Sequence, residues 1–302
     1  MKKHLIISGG GPSMFGMIGS LHTLHDNGVW DIEHLESIYA CSSGAWVGVA
    51  ICLMKLGSTI DMLEEFVVKR PWDKLISLGA LEIASAFRSK GVFDRTTVKT
   101  SLKPLFKSCG INIETDLQNF YDLTNIDLHM FSTDFNTRPL TKIDISHKTF
   151  PNTTVYDALT MTMGLPFVIT PTFYNDMCLV DGGIMANYPL QECIDDKNAE
   201  LDDILGLKVK WDNRTLQLQE DSNLLQFIMH IMKMMVLHIE HDYNKQIEHE
   251  HTVHCSVPDV GGPSGWVDVF LDEERRQAFV DYGKNSAKQY LSSLAKKSSE
   301  IE

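Results

Sequence analysis

The pentapeptide Ala40-Cys41-Ser42-Ser43-Gly44 holds the first side chain in this chain that could carry covalent chemistry. It is one methyl group away from G-x-S-x-G, the nucleophile elbow, in which a serine sits on a tight strand-to-helix turn with its hydroxyl exposed. Such a turn needs small residues two places either side of the nucleophile. Gly44 meets that need and Ala40 nearly does, so Ser42 has the elbow spacing and Ser43 does not. An ordinary Ser-Gly helix cap would use the same residues. Upstream, Gly9-Gly10-Gly11-Pro12 can turn the backbone sharply and aim its N–H groups at one point. With a helix N-terminus behind it, this loop could hold a phosphate or a developing oxyanion, or be a plain tight turn. Downstream, Asp181-Gly182-Gly183 is followed by Asn187-Tyr188-Pro189. An aspartate there could point outward as a base, or close a common Asp-Gly turn.

The elements around these residues must bring them together. Residues 5–8 (LIIS) predict a short buried strand. Met14, Met17, Ile18, Leu21 and Leu24 recur at helical spacing, which predicts a helix over 14–25. Residues 36–41 predict a second strand and 44–56 a buried helix. Further strands are expected at 131–134, 141–145, 179–180 and 204–210. Strand, turn, helix, repeated, is the pattern of parallel α/β structure. All three motifs then fall at strand carboxyl ends, which converge on one edge of such a sheet.

Glycine-rich loops also bind nucleotides, but the alternatives fail here. A dinucleotide fingerprint would need a glycine where Met14 stands and an acidic residue at the end of the second strand. A Walker loop would need G-K-[ST]. The ordered set of motifs instead resembles the patatin-like phospholipases. That family runs from a strand into G-G-G, then G-x-S-x-G about 30 residues on, then D-G-[GA] with N-x-P after it. Lys90–Asp94 (KGVFD) and Ala158–Pro171 (ALTMTMGLPFVITP) are similar to further family segments, so the likeness spans roughly residues 4–210. It implies a three-layer α/β/α sandwich with a mainly parallel sheet. It implies hydrolysis of lipid carboxylic esters by a Ser42–Asp181 dyad, with Gly9, Gly10 and Gly11 as the oxyanion loop and Gly44, Gly182 and Gly183 as supporting residues. It implies no cofactor and no metal, and partners that are lipid esters and, transiently, a membrane or lipid-aggregate surface. Two departures stand out: Ser13 and Met14 replace the family's basic residue and glycine, and Ala40 replaces the elbow's first glycine.

Other functions are weaker fits. A Ser-Asp-His triad is compatible with chain order if His230 or His238 follows Asp181, but Ser42 comes after too few strands for that hydrolase fold. Six of the 12 histidines lie between His230 and His254, without the H-E-x-x-H motif or another convergent metal-ligand pattern. A lipid-binding scaffold without turnover would keep the same fold. The chain has 302 residues, 43% apolar and 22% charged, as an ordinary globular protein does. With 27 Lys+Arg against 40 Asp+Glu, its net charge of -13 argues against nucleic acid and against electrostatic attachment to anionic bilayers. Six cysteines without a C-x-x-C pair suit reduced thiols. Neither a signal peptide nor a spanning helix is expected, since even the apolar stretch 224–239 falls short of the ~20 residues needed. An intracellular protein, cytoplasmic or peripheral to a membrane, follows from these features.

A catalytic unit over 1–210 is expected, with a lid or cap within 57–125 and a helical part over 211–302 packed on the same domain. Within the latter, the Met- and His-rich segment 224–254 has one apolar helical face, suited to a core or to a lipid or partner surface.

Overall fold

The computed structural model describes residues 1–76, 88–211, 251–258 and 263–301, together with residues 86 and 260 and scattered positions between 218 and 234. The strands are β1 (His4–Ile7), β2 (Ser37–Cys41), β3 (Gly91–Phe93), β4 (Asp127–Asp134), β5 (Thr141–Ile145), β6 (Phe167–Ile169), β7 (Thr172–Tyr174), β8 (Met177–Asp181), β9 (Ile204–Trp211) and β10 (Thr252–Val257). The helices are α1 (Ser13–Asp26), α2 (Ser42–Cys52), α3 (Ile60–Lys69), α4 (Arg95–Ser108), α5 (Leu117–Thr124), α6 (Val155–Thr162), α7 (Gly183–Ala186), α8 (Leu190–Lys197), α9 (Pro263–Leu271) and α10 (Glu273–Ile301). Eight strands form one sheet in the order β10-β9-β1-β2-β4-β8-β7, with β5 also on β4; β3 and β6 pair separately.

The first half of that sheet is parallel, from β10 to β4. Every residue of β1, β2 and β4 is buried, as expected for parallel strands covered on both faces. One face carries the main core, where Leu5, Ile7, Ile38 and Ala40 meet Phe15, Ile18 and Leu21 of α1 and Val47 and Ile51 of α2. The other carries a smaller cluster in which Ile6, Tyr39 and Phe131 lie beneath Leu190 and Cys193 of α8. Alternate strand residues thus feed two layers of helices, which is the three-layer sandwich.

The sheet then departs from the parallel pattern. β8 and β5 both run antiparallel to β4. Met130 pairs with Ala40 and with Ile145, and Ser132 pairs with Ile143 and with Asp181. A strand residue has only two edges, so β2 and β8 share one edge of β4 and β5 takes the other. On the shared edge β2 ends opposite Phe131 and β8, coming the other way, ends opposite Ser132. Their carboxyl ends meet head to head. The expected convergence is reached by opposed strands, not by parallel neighbours.

The segment expected as a lid contributes Leu63 of α3, Leu102 and Phe106 of α4 and Phe120 of α5 to the main core; its residues 77–85 lie outside the described ones. The stretch 211–302, expected to be helical, also supplies a strand. β10 extends the sheet beside β9, and α10 packs along α1, where Ser20 Oγ–H donates to the Gly283 carbonyl at 2.8 Å. Most of the Met- and His-rich segment lies outside the described residues. Among the described residues no helix is long and apolar enough to cross a membrane.

Candidate active site

α2 begins directly at the end of β2, and the chain makes that turn at Ser42 with φ of 52°. A side-chain-bearing residue in this left-handed region is strained, and such strain persists only where the surroundings fix it. Here they do. The Ser42 N–H donates to Thr162 Oγ1 at 3.1 Å, and the same hydroxyl donates to the Phe131 carbonyl on β4. At Gly44 a Cβ would collide with the carbonyls of Ser8 and Ile7, so glycine lets α2 start against the end of β1. Gly48 of α2 packs over β2 and β4, where a Cβ would come 3.1 Å from Ile38 and 3.3 Å from Leu128 but only into ordinary contact, 3.8 Å, with the Ala40 methyl.

Ser42 remains partly exposed, whereas Ser43 is buried at 3% exposure with no hydrogen-bond partner for its hydroxyl. The two serines differ in access as well as in spacing. Ser42 Oγ–H donates to Asp181 Oδ2 at 2.6 Å, joining residues 139 apart in sequence. Asp181 is held in turn: its Oδ1 accepts the Gly183 N–H at 2.8 Å, with the Cys41 thiol at 3.9 Å, and its own N–H donates to the Gly164 carbonyl at 3.1 Å. Gly182 must lack a Cβ because the Phe131 carbonyl occupies that place. Burial pushes the Asp181 carboxyl up to about 6, against the lowering effect of the Ser42, Gly183 and Cys41 donors. At neutral pH it is therefore an ionised carboxylate of unusually high basicity. Among the described residues no histidine hydrogen-bonds to Asp181. His238 lies outside the described residues.

The glycine loop divides into two functions. The Gly9 N–H donates to the Asn187 carbonyl at 3.2 Å, so it is not available to a ligand. A Cβ on Gly9 would stand 2.9 Å from Ser42 Cβ and 2.8 Å from Asn187 Oδ1, which makes Gly9 a residue of close approach. The N–H groups of Gly10 and Gly11 have no acceptor among the described residues. Gly11 has φ of 55° and faces the Trp266 ring, which would lie 2.9 Å from a Cβ there. A Cβ on Gly10 would strike Ser13 Oγ. Ser13, at the place of the family's basic residue, is fully buried with an unpartnered hydroxyl, and Met14 is buried beside it.

The structure thus brings Ser42, Asp181, Gly183 and the Gly9–Gly11 loop to one point. Sequence reasoning named Asn187 only as part of a motif, and it missed Thr162 and Trp266. Thr162 and Asn187 lie inside segments quoted for the family likeness, so their position was a usable signal. Trp266 lies in α9, beyond the segment that carries the likeness, and had none.

The relatives agree with this architecture. An uncharacterized protein of Acanthamoeba polyphaga mimivirus is 21% identical over 296 residues, 97% of this chain and 94% of the relative. The "Probable lipid hydrolase" of Invertebrate iridescent virus 6 is 23% identical over 201 residues, 64% of this chain and 63% of its own length. Among solved structures, VipD from Legionella pneumophila superposes with a TM-score of 0.58 at 13% identity, covering 97% of this chain and 67% of VipD, a likeness of fold. The sequence model described as patatin-like phospholipase matches residues 5–194, well over half of the chain, and this protein belongs to that family.

Proposed function

We propose that this protein is a serine acyl hydrolase cleaving carboxylic esters of lipids, with Ser42 as nucleophile and Asp181 as its base. The observation that carries the reading is the 2.6 Å hydrogen bond from a strained, accessible serine to a buried carboxylate of raised basicity. Family membership and the viral relative called a lipid hydrolase support the substrate class. In the first half-reaction Ser42 Oγ attacks the ester carbonyl while its proton passes to Asp181. The tetrahedral oxyanion is received by the N–H groups of Gly10 and Gly11. One such donor is worth ~2.7–4 kcal/mol. Collapse breaks the ester C–O bond, and the Asp181 proton goes to the departing alcohol. In the second half-reaction Asp181 takes a proton from water, the hydroxide attacks the acyl-serine, and collapse returns the proton to Ser42 as the fatty acid leaves. Each step uses only groups of this chain and water. The partners are a lipid ester and, transiently, a lipid surface approached through apolar contact, since the net charge is -13.

Covalent labelling with a fluorophosphonate, combined with Ser42→Ala and Asp181→Asn, tests the assignment. Each single variant should lose about 10⁴-fold or more in kcat, and the double variant little further, because the two residues act as one unit. Turnover retained in Ser42→Ala would overturn the mechanism. An unlabelled Ser42 in a chain that still binds lipid vesicles would make this a binding protein with the same fold.

A further inference from the structure

We propose that Asp127, His129 and Asp196, with His147 beside them, form a binding site for a divalent transition-metal ion of the zinc class, separate from the serine site. Asp127 and His129 are alternate residues of β4, so they share a face of the strand. His147 follows β5, and Asp196 lies in the last turn of α8. His129 Nε2 stands 3.0 Å from Asp127 Oδ1 and 3.6 Å from Asp196 Oδ2, and His147 Nδ1 stands 3.3 Å from Asp127 Oδ1. Ligands around zinc at bonds of about 2.0–2.1 Å are about 3.4 Å apart, and one ligand atom from each of Asp127, His129 and Asp196 lies within 4.8 Å of the other two.

Three polar atoms of the cluster lack hydrogen bonds. Asp127 and His129 are 7% and 2% exposed, yet Asp127 Oδ1, His129 Nε2 and His147 Nδ1 are all buried without a hydrogen bond. They come close but are not aimed at one another, as expected of lone pairs directed at a common point. The second layer of contacts suits ligands. His129 Nδ1–H donates to Asp144 at 2.8 Å, the contact that orients metal-binding imidazoles, and turns Nε2 toward Asp127. Both rings are held flat by stacking, His129 on Tyr39 at 4.5 Å and His147 on Tyr121 at 3.9 Å. Lys148 and Lys197 sit on the outer oxygen of Asp127, and Lys197 is 3.1 Å from Asp196, whose same oxygen accepts the Tyr39 hydroxyl. Three carboxylates (Asp127, Asp144, Asp196) and two ammonium groups surround the imidazoles. Three protein ligands leave a fourth position of a tetrahedral ion open. The cluster lies about 10 Å along β4 from the position where β8 ends, three residues away at ~3.3 Å each.

The test uses the full chain stripped of metal by chelator and titrated with cobalt(II), then zinc. One equivalent of cobalt should give the intense visible absorption of a tetrahedral site and be displaced by zinc. Asp196→Asn, at an exposed position in the last turn of α8, should weaken binding at least tenfold, and Asp144→Asn, which removes only the orienting contact, about 10–100-fold. X-ray absorption of the wild type loaded with one equivalent of zinc requires no variant. It should find one imidazole nitrogen, two carboxylate oxygens and water. A shell of three or four imidazoles would place the metal on the histidines of 230–254 and overturn the proposal. So would the absence of stoichiometric binding, or binding unchanged in both variants; the cluster would then be a charge network alone.

Discussion

Asp127 and Asp181 are both buried aspartates at the margins of the same sheet, 7% and 6% exposed, and their chemistry is opposite. Burial alone would push both carboxyls up. At Asp181 it wins, because the opposing donors are a hydroxyl, one backbone N–H and a distant thiol, none of them charged. At Asp127 it loses, because His129, Lys148 and Lys197 crowd the carboxylate and hold it far below the ordinary range. A proton on His129 and a metal ion beside it would act in the same direction. Company, not depth, decides whether a buried carboxylate is a base or a fixed charge. Among the described residues the serine end of the sheet is left short of partners, with Asp181 under-neutralised and the Gly10 and Gly11 N–H groups without an acceptor. The β4 amino end is densely compensated.

The largest test of that contrast is thermodynamic. In metal-free protein Asp127→Ala should destabilise the fold, because it takes the buried carboxylate away from His129 and from the partly exposed Lys148 and Lys197. Asp181→Asn should do the reverse. Its carboxyl is raised from 3.8 to about 6 in the folded chain, so the folded state binds the proton more tightly. The associated stabilisation is present below 3.8 and lost as pH rises through 6, at most about 3 kcal/mol. Removing the charge should therefore stabilise the protein above pH 6 and bring no gain near pH 3.5. Urea unfolding at both pH values measures this. Loss of stability in Asp181→Asn at pH 7.5 would break the comparison.

The next effect concerns the unpaired donors. Gly10→Ala and Gly11→Ala should each lower kcat by about 10²–10³-fold, the value of one oxyanion donor. The added methyl would meet Ser13 in one case and Trp266 in the other and turn the N–H away. Steady-state kinetics on a short-chain ester should show kcat falling with little change in KM. Near-normal turnover in both would remove the role assigned to these amides.

Much of this was legible before the fold. The strands at Leu5–Ile7 and Ser37–Cys41, the helices after them and Thr141–Ile145 follow from periodicity and turn residues, because those signals are local. Ser42 and Asp181 were legible because an elbow and an Asp-Gly-Gly turn have compositional requirements of their own. The antiparallel course of β8 was not, since strand direction is set by what the strand pairs with. Thr162 at the end of α6 carries no motif of its own, and its bond to the Ser42 N–H exists only in three dimensions. Among histidines, density drew notice to 230–254, whereas the convergent ligand set is spread over 127–196 and assembled by the sheet.

The smallest effect is the most specific. In the proposed reaction Asp181 must be ionised to accept the Ser42 proton, so the protonated fraction is inactive. With its carboxyl at about 6, kcat/KM should rise with pH, reach half its plateau near 6 and lie about tenfold below the plateau at pH 5. This parameter reports the free enzyme, in which the raised value arises from burial and needs no substrate. Asp127 is ionised throughout that range and contributes no second bend. One proton should therefore govern the acid limb, with a slope of one on a logarithmic plot. The small ester of the kinetic assay keeps lipid-surface effects out of the profile. A bend near 4 would mean that water reaches Asp181 and relieves its burial, and the two carboxylates would differ less than their surroundings suggest. A slope of two would mean that a second group, titrating with Asp181, belongs to the same unit.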